Sequence, residues 1–419
     1  MSFAFAKRRW QDLNPSINGA GAGFFADLIK PNLVRNARCF RQAVRNGVSR
    51  SSRLARTLGG EEDSVEPQER RSTKSTTGRN AVRAGRGRPM AGGQPHRPSR
   101  MRARDNGLRI LVTGGAGFIG SHLVERLIRD GYNPITVLDN LSRGRTSNLA
   151  GGWGSIRFVK GDIRDENTVT KLMQNTDLVF HLAAQSNVIG AFQDVDYSSS
   201  TNIVGTAVVL QAARAAGVRR VVFTSSREVY GDPSRLPVSE TAPLSPKNAY
   251  GMSKVAGEMC CTMSAGQSPE TAILRLANVY GARDYGRVIP LFIESALNGL
   301  PLTIYGGNQI LDFVHVGHVV DALMKAACGE HVAGPVNVGS GKGTTIVELA
   351  ERILKLTNSR TKISWRPSRD MEVTRFVADT ARGRRLLGLE HRDEPLSRLA
   401  ELITWTAKEA TPVSRCIAV

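Results

Sequence analysis

From Leu108 onward, apolar runs alternate with helical patterns, and that alternation predicts an α/β fold built on a doubly wound parallel sheet. Two further observations shape the prediction. The stretch Thr113-Gly-Gly-Ala-Gly-Phe-Ile-Gly120 joins the apolar run Arg109-Ile-Leu-Val112 to the helical pattern Ser121-His-Leu-Val-Glu-Arg-Leu-Ile128, the order strand, glycine turn, helix. After Asn278 the pattern loosens into short pieces, which suit a smaller C-terminal lid at the carboxyl ends of the strands.

The glycine turn comes first in the chain and says most. Gly114 permits a tight turn, Gly117 lets the backbone approach a pyrophosphate, and Gly120 lets helix and strand pack closely, with the helix N-terminus facing the negative charge. The next apolar run, Ile135-Thr-Val-Leu138, ends in Asp139, 19 residues beyond Gly120, where a carboxylate would accept the adenosine ribose hydroxyls. A strand-end turn residue is the plainer reading of Asp139 alone. Taken together, strand, turn, helix and acid predict a Rossmann-type dinucleotide site. The acid favours NAD over NADP because it repels a 2′-phosphate, with Arg143 as the counter-argument.

Strands follow near 156–159 and at 178–182, then a helix over 202–216, a strand over 220–225, a helix around 250–263 and a strand over 271–276. The later pieces are 302–305, 312–316 and 346–356. The chain therefore divides into a basic low-complexity extension over 1–106, a dinucleotide-binding domain over 107–277, and a mainly substrate-binding domain over 278–410 with elements that return to the first.

Charge is unevenly placed. Of a net +20, residues 1–100 hold 20 Lys and Arg against 7 Asp and Glu. Segments there such as Arg79-Asn-Ala-Val-Arg-Ala-Gly-Arg-Gly-Arg-Pro89 lack apolar periodicity and cannot bury enough surface to offset ordering entropy. Such an arm could touch nucleic acid or anionic lipid. The preferred reading is an appended N-terminus, with Met101 just ahead of the first strand. Five cysteines, at 39, 260, 261, 328 and 416, show neither metal spacing nor a paired framework, which favours a reducing compartment. No run of about 18 apolar residues exists to span a membrane. A cytoplasmic enzyme is expected, and a homodimer.

The run Arg220-Val-Val-Phe-Thr-Ser225 leads into Ser226, and 24 residues later comes Tyr250-Gly-Met-Ser-Lys254. Tyr250 and Lys254, at i and i+4, share a helix face. A phenol titrates near 10, so using it as a base near neutrality calls for a shift of roughly three units, about 4 kcal/mol, from nearby positive charge. Lys254 and an oxidised nicotinamide are the expected sources. Ser226 would hydrogen-bond a substrate hydroxyl while Tyr250 takes its proton.

These residues resemble the extended short-chain dehydrogenase/reductase family, in particular its NAD-dependent nucleotide-sugar epimerases and dehydratases, of which UDP-glucose 4-epimerase is one. The resemblance runs from Leu108 to Trp405 through Thr-Gly-x-x-Gly-x-x-Gly, Ser-x-x-x-Tyr-Gly and Tyr-x-x-x-Lys. It implies Phe118 and Ile119 over the pyrophosphate, Asp139 and Asn140 on the ribose, and Asp162 and Ile163 beside the adenine. It places Leu182, Ala183, Ala184 and Asn202 along the rest of the cofactor groove. Asn278, in Arg275-Leu-Ala-Asn-Val-Tyr-Gly281, and Arg369, in Arg366-Pro-Ser-Arg-Asp-Met-Glu-Val373, match residues that contact the diphosphate of a nucleotide-sugar substrate.

Two positions depart from the pattern. In Gln309-Ile-Leu-Asp312, Leu311 stands where the family places a second diphosphate arginine. In Ser226-Arg-Glu-Val-Tyr230, Glu228 takes the place of an acid/base carboxylate of sugar dehydratases and decarboxylases, but Arg227 replaces the neighbouring Asp of the dehydratase pattern. A structural carboxylate paired to Arg227 is the plainer reading of Glu228. The expected activity is a UDP-hexose 4-epimerase working through a 4-keto intermediate. A dehydratase or decarboxylase using Glu228 is the enzymatic alternative, and a non-catalytic NAD-binding module the other. Gly339-Ser-Gly-Lys-Gly-Thr344 lacks the earlier glycine of a triphosphate loop, Val336 standing there, and reads as a turn before a helix. His181, His315 and His318 read as structural, and no metal is expected.

Overall fold

The computed structural model describes residues 107–263, 268–329, 332–390 and 394–409. The expectations for the basic extension over 1–106, including its nucleic-acid or lipid contacts, lie outside these residues. Elements follow in the order β1 (Ile110–Thr113), α1 (Phe118–Arg129), β2 (Ile135–Asp139), β3 (Ile156–Lys160), α2 (Glu166–Met173), β4 (Leu178–His181), α3 (Thr206–Ala215), β5 (Arg220–Ser226), α4 (Ala249–Met263) and β6 (Glu270–Leu276). After these come β7 (Asn278–Tyr280), α5 (Val288–Leu297), β8 (Leu302–Tyr305), β9 (Ile310–His315), α6 (Val316–Cys328), β10 (Pro335–Val338), β11 (Gly343–Thr345), α7 (Ile346–Leu356), β12 (Ile363–Arg366), β13 (Arg375–Phe376) and α8 (Leu399–Glu409).

Seven strands form one parallel sheet in the order β3-β2-β1-β4-β5-β6-β10. The order reverses at β1 and β4, the switch point beside which α/β sheets bind ligands. β1, β4 and β5 are buried along their whole length, as strands covered by helices on both faces must be. Leu123, Val124 and Leu127 of α1 close one face, and Val209, Leu210 and Ala213 of α3 the other. The chain leaves this sheet after β6 and returns to it through β10, beside Ile273–Leu276 of β6.

The remaining strands make two small sheets: β9 pairs with β7, β11 and β13, and β8 pairs with β12. Over them α5, α7 and α8 bury Ile289, Phe292, Ile293, Leu349, Ile353 and Leu402 in a separate apolar cluster. α7 starts on a capping box, Thr345 and Glu348 each accepting from the other's backbone amide.

Two details differ from the sequence-based expectation. The expected single helix over 202–216 is instead a π-helical stretch, Ser200–Gly205, running into α3; the wider turn is of the kind that recurs at functional sites. The Gly339–Thr344 turn does precede a helix, but β11 intervenes, and its amides are already spoken for. Asp312, fully buried, accepts from the amides of Ser340 (2.7 Å), Gly341 (2.9 Å) and Ala378 (3.1 Å). No helix among the described residues is long and apolar enough to cross a membrane.

Candidate active site

A cleft of about 1150 Å³ runs along the carboxyl ends of the parallel strands, between the large sheet and the small ones. Its first wall is the turn between β1 and α1. Gly114 has φ +74°, and a Cβ there would sit 2.7 Å from the Ala183 amide nitrogen; at Gly120 it would sit 2.1 Å from the Gly114 carbonyl oxygen. Both positions therefore require glycine. Gly117 caps α1 without any side-chain bond, which leaves the first-turn amides of the helix beside Phe118 and Ile119 for an anion.

Asp139, at the end of β2, accepts from the amides of Ala116 (3.0 Å) and Leu141 (2.8 Å), so it ties the glycine turn to its own loop. Burial raises its carboxyl above the usual range, and these two amides oppose the shift. Asn140 donates to Asp162 (2.9 Å), whose carboxyl is held at about 2, chiefly by hydrogen bonds from Arg164. Gly114, Gly117, Phe118, Ile119, Gly120, Asp139, Asn140, Ile163, Leu182, Ala183 and Ala184 all line the cleft.

Two residues expected along the groove are not on its surface. Asp162 is turned to Asn140 and Arg164. Asn202 is buried behind the wall, where it accepts from the Gln185 amide (2.7 Å) and donates to Ser253 Oγ (2.9 Å). It braces the loop after β4 against α4. The π-helical turn brings the neighbouring Thr201 to the cleft instead.

Ser226, at the end of β5, and Tyr250, on the first turn of α4, both line the cleft, and the Ser226 side chain helps to hold the Tyr250 phenol down. Lys254, one turn on, donates to the Thr224 carbonyl (2.8 Å), and its Nζ stands 5.8 Å from the centre of the Tyr250 ring. Burial brings the Lys254 ammonium down to about 8 and pushes the Tyr250 phenol up to about 12. Arg287 and, to a lesser degree, Arg227 oppose the rise of the Tyr250 phenol, and the Glu228 carboxylate adds to it. Spacing along one helix placed Lys254 near the ring, but its hydrogen bond directs the charge to the backbone of β5.

Glu228 pairs with Arg227 at 3.0 Å and accepts from Asn248 Nδ2 at 2.7 Å. The structural pairing expected of it is there, and the carboxylate still lines the cleft. Arg227 in turn donates from Nε to Asn278 Oδ1 (3.1 Å), while Asn278 donates to the Asp312 carbonyl (3.2 Å). This chain of contacts joins β5 to the small sheet.

Across the cleft, Arg369 lies with its guanidinium 3.6 Å from the centre of the Tyr305 ring and its Nη1 3.0 Å from Glu372. Leu311 also lines the cleft but belongs to the apolar cluster of Tyr280, Phe292 and Phe313. The pocket is packed around the leucine. Arg143 donates to the Tyr285 carbonyl (3.3 Å).

Arg287, Tyr305, Glu372 and Asn248 were not anticipated. Arg287 stands at the N-cap of α5, donates to Asp284 (3.0 Å), and faces both Phe118 and Tyr250. The only local signal for it was a cation just ahead of the apolar run Val288-Ile-Pro-Leu-Phe292. His181 shares hydrogen bonds with Thr113 (2.8 Å) and Thr206 (3.0 Å), and burial brings its imidazole down to about 3.

A model of the NAD-dependent epimerase/dehydratase family matches residues 110–339, more than half of the chain. The chain belongs to that family. A UDP-glucose 4-epimerase of Mycolicibacterium smegmatis is 38% identical over 311 residues, which cover 72% of this chain and 98% of that protein. UDP-glucuronic acid decarboxylase 4 of Arabidopsis thaliana is 35% identical over 293 residues, 68% of this chain and 65% of that one. Among solved structures, the UDP-glucose 4-epimerase of Thermotoga maritima with UDP-glucose superposes with a TM-score of 0.69 at 33% identity, over 72% of this chain and 99% of its own. The Rossmann-type fold and NAD as cofactor follow from family membership, and the glycine turn and Asp139 fit that cofactor.

Proposed function

We propose that the protein is a nucleotide-sugar 4-epimerase acting on a UDP-hexose through a 4-keto intermediate. The observation that carries this reading is that Ser226, Tyr250 and Lys254 line the same cleft as the glycine turn on one side and Asn278 and Arg369 on the other. Residues 107–277 would hold NAD, and 278–410 the substrate, with Asn278 and Arg369 on its diphosphate.

NAD, when bound, supplies the hydride acceptor for C4 of the sugar. Ser226 would orient the C4 hydroxyl, and Tyr250 Oη would take its proton and return it later. Because burial, and with it the Glu228 carboxylate, raises the phenol, Tyr250 depends on Arg287, Arg227 and the bound cofactor's charge to become a base. A cleft of about 1150 Å³ leaves space for the keto sugar to present its other face.

Epimerisation is preferred over dehydration because Glu228 is fixed by Arg227 and Asn248, and Arg227 offers no proton to a departing hydroxyl at neutral pH. Decarboxylation needs no such proton, so resemblance to UDP-glucuronic acid decarboxylases keeps that reading second. Incubation with UDP-, dTDP- and GDP-sugars, with products identified by mass and NMR, tests both. A C4 epimer supports the first reading; a 4-keto-6-deoxy sugar or a pentose overturns it.

Assembly as a homodimer belongs to the same proposal. Phe192, on the short helix Val188–Gln193, and Met252, on α4, are 63% and 51% exposed on helices that pack together, an apolar surface that a second copy would cover. Sedimentation of Phe192→Asp as a dimer indistinguishable from the parent would overturn that assignment.

A further inference from the structure

We infer that the segment 281–287, between β7 and α5, is a latch over the cofactor wall that sets how fast NAD leaves, with Asp284 as its release. This holds whichever sugar reaction the cleft performs, because it concerns the cofactor alone.

The segment is fastened to both rims of that wall. On the α1 side, Arg283 pairs with Glu125 and donates to Ser121 Oγ (3.2 Å), and the Ala282 carbonyl accepts from His122 Nε2 (2.9 Å). On the β2 side, Arg143 donates to the Tyr285 carbonyl (3.3 Å), and the Arg145 guanidinium lies 4.2 Å from the centre of the Tyr285 ring. Arg145 is itself tied to the glycine turn, its amide donating to the Ala116 carbonyl (3.0 Å). Arg287 reaches the loop after β4 at Ser186 Oγ (3.4 Å). Arg143, Asp284, Tyr285 and Arg287 line the same cleft as Gly117 and Asp139, so a dinucleotide on this wall would lie under the strap.

These ties are of a kind that opens. The Arg283 backbone has φ +67°, which a residue with a side chain rarely adopts, and Gly286 has φ +72° with open space where a Cβ would stand. Arg283 and Glu125 are 22% and 39% exposed, and partly exposed ion pairs and cation–π contacts each add little. Asp284, by contrast, is enclosed: its side chain is 4% exposed, 3.0 Å from Arg287 and facing Arg143.

Burial holds the Asp284 carboxyl at about 6 against those two cations, so the closed strap favours its protonated form. In water the group returns to its ordinary value of about 4. The closed state therefore binds the proton more tightly, and closure is favoured at pH 5 and loses that advantage as pH rises through 6. The other charged groups about the strap are Arg283 with Glu125, Arg145 with Glu409 of α8 beside Tyr285, and His122. Burial lowers the His122 imidazole, which therefore acts in the opposite sense. Asp284→Asn keeps His122 in place and is the reference that isolates the carboxyl.

The test follows release of labelled NAD from the full chain after a chase of unlabelled NAD. Tyr285→Ala and Arg145→Ala are each expected to release it about 5-fold faster, the scale of one partly exposed cation–π contact, and the double variant no faster than either alone. Release within about 2-fold of wild type in both single variants overturns the inference. If Tyr285→Ala does not fold, Arg145→Ala, which truncates an exposed side chain, decides. The ratio of wild-type to Asp284→Asn release should fall about 10-fold from pH 7.5 to pH 5, the factor set by a carboxyl that moves between about 6 and about 4. A ratio constant with pH overturns the inference as well, because Asp284 would then not be enclosed by the closed strap.

Discussion

Replacement of Arg369 by alanine probes the substrate side of the cleft. Its guanidinium lies 3.6 Å from the Tyr305 ring centre and donates to Glu372, with both members of that pair about one-third exposed. The exposed ion pair contributes at most about 1 kcal/mol to stability, and the stacking a similar amount, so the variant should fold. What these contacts provide is orientation: Glu372 and the Tyr305 ring hold the guanidinium in the cleft wall, where it would meet a diphosphate. One hydrogen bond between charged partners is worth about 1.5–3 kcal/mol, which corresponds to roughly a 10- to 150-fold loss of UDP affinity. Calorimetric titration of UDP and NAD into wild type and Arg369→Ala measures it, and NAD affinity should stay within about 2-fold. A UDP affinity changed by less than about 3-fold would refute the assignment of Arg369 to the diphosphate. Leu311→Arg should not rescue binding, because Leu311 is buried in the Phe292–Phe313 cluster. The variant would lose about 1.5–3 kcal/mol of burial and place a cation among aromatic rings, visible as a lower denaturation midpoint.

Tyr250→Phe is expected to remove most turnover while NAD remains bound, and Lys254→Met to reduce both; near-normal rates in Tyr250→Phe would remove the proposed proton acceptor. NAD should bind more tightly than NADP, because a carboxylate at Asp139, in the cleft at the end of β2, would repel a 2′-phosphate on the ribose; competitive titration with tighter NADP binding would assign Arg143 the dominant role instead. Asp284 is held at about 6 by burial against Arg287 and Arg143. A raised carboxyl contributes stability fully below its unfolded value near 4 and loses it as pH rises through 6. Relative to Asp284→Asn, wild type should thus weaken by up to about 3 kcal/mol between pH 4 and pH 7, read from urea midpoints across that range. Asp312→Ala strips the acceptor from three backbone amides and the Ser340 hydroxyl at the centre of the small sheet; a loss of about 3 kcal/mol or more is expected, and a denaturation midpoint close to wild type would show that water replaces the carboxylate.

The sequence by itself determined what is local. The switch from an apolar run to a helical period across Gly114, Gly117 and Gly120 specified the β1–α1 turn, since steric freedom at those positions depends on atoms a few residues away. Strand alternation and the i, i+4 spacing of Tyr250 and Lys254 were legible for the same reason, as was the pairing of Glu228 with its neighbour Arg227.

Tertiary structure decided what depends on long-range approach. Arg287 comes to Tyr250 from 37 positions away, and Tyr305 stacks on Arg369 from 64 positions away, with no periodicity to announce either. Packing also turned Asn202 and Asp162 away from the cleft surface and enclosed Leu311 among Tyr280, Phe292 and Phe313. Above all, the acidity of Tyr250 could not be read from its spacing to Lys254. Desolvation raises the phenol, and the cations that oppose it come from the turn just after β5 and the loop before α5, because electrostatic environment is set by distance in space and by exclusion of water rather than by separation along the chain.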